Sequence, residues 1–268
     1  MEKPPLAERS RLSAYSNLLY RVLRASADKA GTLLGAVGIF LLAGLIVAAL
    51  GTWIFVELAE HVQMGASQAF DNAVLRWLGA HHTTAWDNVM VEITALGTGT
   101  VVMMIVAVAA LFLVLTQHKY SAMLLLVSTL GGLVLNGVLK LGFNRPRPTI
   151  FVPEVHAVSS SFPSGHAMSA AIVYGTVAYL AARLHKRAWA RALVMLAALI
   201  VIVAICISRL YLGVHYPSDV VAGVVIGLAW AGFCMAILEA IQKFGARRDP
   251  KILESEKPAP GGGSPTDS

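Results

Sequence analysis

Three short stretches of this chain hold residue types suited to the chemistry of an anion. They read Lys140-Leu-Gly-Phe-Asn-Arg-Pro-Arg147-Pro148, then Ser161-Phe-Pro-Ser164-Gly165-His166, then Ser208-Arg209-Leu-Tyr-Leu-Gly-Val-His215-Tyr216-Pro217-Ser218-Asp219. Lys140, Arg147 and Arg209 supply positive charge and fork-shaped donors that match phosphate or carboxylate oxygens. His166 and His215 titrate near neutrality, which suits proton transfer or nucleophilic attack. Pro163 is a good first helical residue, having no N–H to lose. Ser164 and Gly165 therefore stand where a helix begins, where free N–H groups and the positive end of the macrodipole favour an anion. Gly165 lets the backbone approach it closely. Pro217 opens a further helix, so Asp219 falls in its first turn, within reach of His215 in the preceding loop. A carboxylate there can fix the tautomer of a nucleophilic imidazole.

Taken singly, each residue has a plainer explanation. Lys140 and Arg209 can snorkel from helix ends, a lone histidine can sit at an interface, and Asp219 can favour a helix N-terminus. Together they make a charged pocket that snorkelling does not explain, provided other elements bring them to one level.

Those elements are apolar. Of the 268 residues, 57% are hydrophobic and 13% charged, and mean hydropathy is +0.69. This excludes disorder, coiled coil, collagen and an ordinary cytosolic enzyme. Uncharged apolar runs occupy Gly31–Val56, Ile93–Thr116, Ser121–Leu139, Ala167–Ala182, Ala192–Ser208 and Val220–Leu238. A bilayer takes about 20 helical residues, with a range of about 17–25, and the fourth run reaches that length if it starts near Pro163. The first run is too long, and too far from the N-terminus, for a signal peptide. The expected fold is an all-α integral membrane protein of six transmembrane helices, because lipid excludes backbone not paired within its own segment.

With the N-terminus inside, sixteen of the 21 Lys and Arg lie in 1–30, 117–120, 183–191 and the tail from 239. The other five are Arg76, Lys140, Arg145, Arg147 and Arg209. This bias predicts cytoplasmic termini and places all three chemical stretches at the extracytoplasmic ends of the third to sixth helices. Cations kept against the bias need a function, and anion binding supplies one. The formal charge of +6 does not imply nucleic acid, because the basic residues sit at the ends of apolar runs rather than on one face.

The expected organisation is a basic segment 1–30, a membrane domain 31–240 and a disordered tail 241–268. The basic segment is either an amphipathic surface helix or a plain positive-inside anchor. In the outer connection 57–92, Phe70, Val74, Leu75 and Leu78 recur at helical spacing with Asp71 in the opening turn, which predicts a short interfacial helix. His81 and His82 are adjacent, cannot share a helical face and have no carboxylate at ligand spacing, so no metal site is expected there. Cys206 and Cys234 lie in apolar runs and indicate no disulfide framework.

The triple pattern resembles the type 2 phosphatidic acid phosphatase (PAP2) family, whose signature is Lys-x6-Arg-Pro, Pro-Ser-Gly-His and Ser-Arg-x5-His-x3-Asp. Lys140 to Arg147-Pro148, Pro163 to His166, and Ser208-Arg209 to His215 to Asp219 fill every position. Arg145-Pro146 is a second, offset pair. The motifs span residues 140–219, and the six-span arrangement extends the resemblance to residues 30–240.

The resemblance implies a phosphatase of the bacterial inner membrane that uses neither metal nor cofactor and works through a phosphohistidine. His215 would be the nucleophile, Asp219 its orienting partner and His166 the proton donor to the leaving oxygen. Lys140, Arg147, Ser164, Gly165 and Arg209 would hold the phosphoryl oxygens. Its partner would be a lipid-borne phosphate within the membrane, not nucleic acid. Candidates are undecaprenyl diphosphate, phosphatidylglycerol phosphate, phosphatidate, diacylglycerol diphosphate and lipid A phosphates, a prenyl diphosphate foremost. Three alternatives remain. A phosphotransferase of the same superfamily shares the motifs. A vanadate-dependent haloperoxidase is soluble, which the apolar runs oppose. A non-catalytic lipid-binding or transport protein would carry its charges nearer the midplane.

Overall fold

The structure, a computed structural model, describes residue 35, residues 37–149 and residues 160–245. The basic N-terminal segment and nearly all of the expected C-terminal tail lie outside the described residues. The described residues form helices and no strand: α1 Val37–Gln63, α2 Gln68–Ala80, α3 Thr84–Ala95, α4 Gly99–Leu115, α5 Lys119–Gly142, α6 Gly165–Leu184, α7 Ala188–Tyr211 and α8 Pro217–Gly245. The chain divides into two compact units. One comprises residues 43–238 and holds every chemical group discussed below; the other comprises residues 1–42 and 239–268.

Five helices, α1, α5, α6, α7 and α8, are long and apolar enough to cross a membrane, and the bent pair α3 and α4 makes up to six. Their outward faces carry large apolar side chains: Leu141 is 86% exposed and Leu115 71%. Such a surface is stable against lipid and not against water. Composition predicts one straight run from Ile93 to Thr116. Instead the helical path begins at Thr84 and turns by 46° at residues 96–98. Successive bonds Leu96 N–H to Ile93 O, Gly97 N–H to Thr94 O and Thr98 N–H to Ala95 O tighten the last turn of α3, which ends the α-helical ladder.

Helix α6 packs on α4, α5 and α7, and its small residues Ala167, Ala170 and Ala171 are fully buried. Helix α8 presses on its first turns through Gly223 and Gly227. A Cβ on Gly223 would lie 2.6 Å from the Ser164 carbonyl oxygen, and one on Gly227 2.8 Å from that of Met168. This is a Gly-x-x-x-Gly contact of the kind that brings membrane helices close together.

Between α7 and α8 the chain reverses in five residues. Val214 N–H bonds to Arg209 O and Gly213 N–H to Leu210 O, the paired bonds of a Schellman end. Gly213 takes the required left-handed conformation at φ 65°, which glycine adopts without a Cβ penalty. The turn returns Asp219, at the start of α8, to the level of Arg209, at the end of α7.

Candidate active site

Four helix ends meet at one level: the C-terminal end of α5, the N-terminal end of α6, the C-terminal end of α7 and the N-terminal end of α8. Lys140, Arg147, Ser164, Gly165, His166, Arg209, His215 and Asp219 all lie at or beside these ends. The α5–α6 side is held by the segment 143–148. Ser161 N–H bonds to Arg145 O at 3.0 Å, and Ser161 Oγ donates to Pro146 O at 3.1 Å. Phe162 packs between Phe143 and Phe55, ring centroids 4.8 and 5.6 Å away. Ser164 N–H then donates to the Asp219 carbonyl at 3.0 Å, tying the start of α6 to the start of α8.

His215 is buried in the turn before α8. Its Nδ1 lies 2.8 Å from the Ser161 carbonyl and 3.6 Å from Asp219 Oδ2. A carbonyl only accepts, so Nδ1 carries the proton and Nε2 keeps its lone pair. The sequence suggests Asp219 as the group that fixes this tautomer; the structure puts the Ser161 carbonyl nearer. Burial pushes the His215 pKa down to about 4, against the opposing pull of Asp219, so the ring is neutral at ordinary pH. Nε2 faces Arg147 Nη1 at 3.4 Å, and Arg147 Nη1 donates to Val214 O at 2.8 Å. Burial also lowers the Arg147 pKa, but a guanidinium stays charged.

Arg209 is 3% exposed and donates from Nη1 to Thr94 Oγ1 at 2.8 Å. Its Nε and the Ser164 hydroxyl are buried with no hydrogen-bond partner among the described residues. Buried donors are normally paired, so an anion bound here would meet donors not committed elsewhere. Arg209, His215, Lys140 and Arg147 are the charged and titratable groups that surround His166. His166 also packs against the bend between α3 and α4: a Cβ on Gly97 would fall 3.0 Å from His166 Cδ2. On the other side, a Cβ on Gly165 would fall 3.1 Å from Asn136 Nδ2. The N–H groups of the first turn of α6 have no acceptor within the helix, and they begin at Gly165.

Several residues of this site escape a reading of the sequence alone. Asp71, on α2, is fully buried and pairs with Arg145 at 2.8 Å; Arg145 also pairs with Asp219. Thr94, inside an apolar run, accepts from Arg209, and Asn136, inside another, lies beside Gly165. The one available signal was Asp71 itself, a carboxylate four residues before Leu75 on the face that α2 buries. Of the side chains expected to form the apolar face of α2, Phe70 is 65% exposed while Leu75 is buried.

Among the described residues, no three His, Cys, Asp or Glu side chains are placed to hold a metal ion. His82 instead sets Nδ1 2.8 Å from Asp87 Oδ1 and Nε2 2.8 Å from the Tyr211 carbonyl, and it stacks on the Tyr211 ring. Cys206 and Cys234 are free thiols.

A bundle of apolar helices that gathers cations and imidazoles at one set of helix ends defines the class of membrane protein. The chain belongs to the PAP2 superfamily, whose match covers residues 121–243. It is 32% identical to phosphatidylglycerophosphatase B of Bacillus subtilis, over 71% of this chain and 94% of that protein. It is 30% identical to undecaprenyl-diphosphatase BcrC of the same organism, over 56% of this chain and 73% of that one. Its fold is similar to the crystal structure of a transmembrane PAP2-type phosphatidylglycerolphosphate phosphatase from Bacillus subtilis. The TM-score is 0.69 at 31% identity, covering 74% of this chain and 98% of that one.

Proposed function

We propose that this protein is a membrane lipid phosphatase, hydrolysing a phosphate monoester or diphosphate on a lipid through a phosphohistidine on His215. The observation that carries the reading is the buried His215, its Nε2 3.4 Å from Arg147 Nη1, at the helix ends that also carry Arg209, Lys140 and the start of α6. Nε2 attacks phosphorus, the ester or anhydride bond to the leaving oxygen breaks, and His166 protonates that oxygen. Water then attacks the phosphohistidine, His166 takes its proton, and inorganic phosphate leaves. Phosphoryl transfer needs chiefly positioning and charge neutralisation; Lys140, Arg147 and Arg209 are suited to this without a metal ion.

The bent pair α3 and α4 serves as one span, which gives six. The positive-inside bias supports cytoplasmic termini, a membrane domain over residues 31–240 and a site facing the extracytoplasmic side of a bacterial inner membrane, with α2 lying at that interface. The relatives' names favour phosphatidylglycerol phosphate and undecaprenyl diphosphate as substrates, the first supported by the fuller match. The test is phosphate release by the purified chain in detergent with EDTA, across lipid monophosphates and diphosphates. The expected result is turnover on at least one lipid, undiminished by chelator. No turnover on any lipid phosphate would refute the reading.

A further inference from the structure

Helix α2 lies in a connection that the motifs never touch, yet its one buried carboxylate reaches the catalytic corner. Asp71 is 0% exposed and accepts three bonds: from Ser218 N–H at 3.0 Å, from Ser218 Oγ at 2.6 Å and from Arg145 Nη2 at 2.8 Å. Ser218 is the second residue of α8, so its N–H has no acceptor within that helix. Asp71 therefore caps α8 from 147 residues away. The second link runs through Arg145. Its Nη1 donates to Asp219 Oδ1 at 2.5 Å and to Ser218 Oγ at 2.7 Å. Its Nη2 reaches Gln68 Oε1 at 3.3 Å, and its guanidinium lies over the Tyr216 ring, 4.1 Å from the centroid. Asp219 Oδ2, held by Tyr216 N–H at 2.9 Å, is the oxygen that faces His215.

We propose that Asp71 is a positioning residue for phosphoryl transfer, holding Arg145 so that the Asp219 carboxylate stays oriented behind His215. Two buried carboxylates share one guanidinium. Without Asp71, Arg145 has Asp219 as its remaining counter-charge, and a buried cation with one partner draws that partner into a bidentate pair. Asp219 would then turn from His215 toward Arg145. The inference deepens the phosphatase reading and rests on it.

Asp71→Asn separates the two tasks of the side chain. It keeps an oxygen for the Ser218 N–H cap and removes the charge that holds Arg145. In this chain kcat should fall about 10–100-fold, the range seen when groups that orient metal-bound side chains are removed. KM should stay within about threefold, and the thermal midpoint should fall because a buried ion pair loses one partner. In an Asp219→Asn background the same substitution should change kcat less than about twofold, because its effect passes through Asp219. An equal loss in both backgrounds, or an unchanged kcat in folded Asp71→Asn, would overturn the proposal. If Asp71→Asn does not fold, Arg145→Gln takes its place in the same cycle, with the same outcomes for and against. A wild-type chain that releases no phosphate from any lipid would overturn the phosphatase reading and this inference together. Intact wild-type turnover without the coupling would overturn this inference alone.

Discussion

Two acceptors compete for the Nδ1 proton of His215: the Ser161 carbonyl at 2.8 Å and the Asp219 carboxylate at 3.6 Å. Because the carbonyl alone can hold the tautomer, the two members of the pair differ in importance. His215→Ala should abolish phosphate release in a chain that still elutes as folded protein; retained turnover would remove His215 from the chemistry. Asp219→Ala should leave a measurable rate, since the nucleophile keeps its orientation from Ser161. A rate as low as that of His215→Ala would show that the carbonyl is not enough. The pH dependence follows from the burial that brings the His215 pKa from 6.5 down to about 4. Attack needs the unprotonated His215 ring, so the acid limb of kcat/KM should lie at that lower value, and a fall at higher pH belongs to loss of the proton that His166 must donate. An acid limb centred near the ordinary histidine value would assign the limiting base elsewhere.

At the scale of elements, what positions the site is close helix approach. A Cβ on Gly223 would stand 2.6 Å from the Ser164 carbonyl, a backbone atom that cannot swing aside. Gly223→Ala should therefore cost about 1–3 kcal/mol of stability and lower kcat by displacing Ser164; an unchanged thermal midpoint would show that α8 has room to shift. Much of this level was legible beforehand. Apolar runs marked the ends of α5, α6 and α7 to within about four residues, and Pro217 opens α8 as its chemistry predicts. Pro163, expected as a first helical residue, instead precedes the N-cap Ser164 of α6, and the runs for α1 and for the bent pair miss helix ends by more. The bend at Leu96-Gly97-Thr98 was not legible, since hydropathy is blind to a break inside an apolar run. Nor was the pairing of Asp71 with Arg145, 74 residues apart, because nothing local distinguishes a capping aspartate from one reaching across the fold. Arg145 read as an offset copy of the Arg147 motif; only coordinates turn it toward two carboxylates.

At the scale of the whole molecule, α1, α5 and α7 expose apolar faces while the cations gather at one set of helix ends. The proposed topology puts Gly142 on the same side as the site, and Leu184, at the far end of α6, on the other. Single cysteines at these positions, with Cys206 and Cys234 replaced, should differ when intact cells meet an impermeant thiol reagent: 142 labels and 184 does not, and the reverse pattern would invert the topology. The proposed chemistry passes through a covalent phosphate on one nitrogen of one histidine, formed with chelator present. Rapid denaturing quench of the enzyme turning over a radiolabelled lipid phosphate in EDTA should trap an acid-labile, base-stable phosphoryl group on His215, and none on His215→Ala. Steady turnover with no such adduct, or label on another residue, would contradict the account.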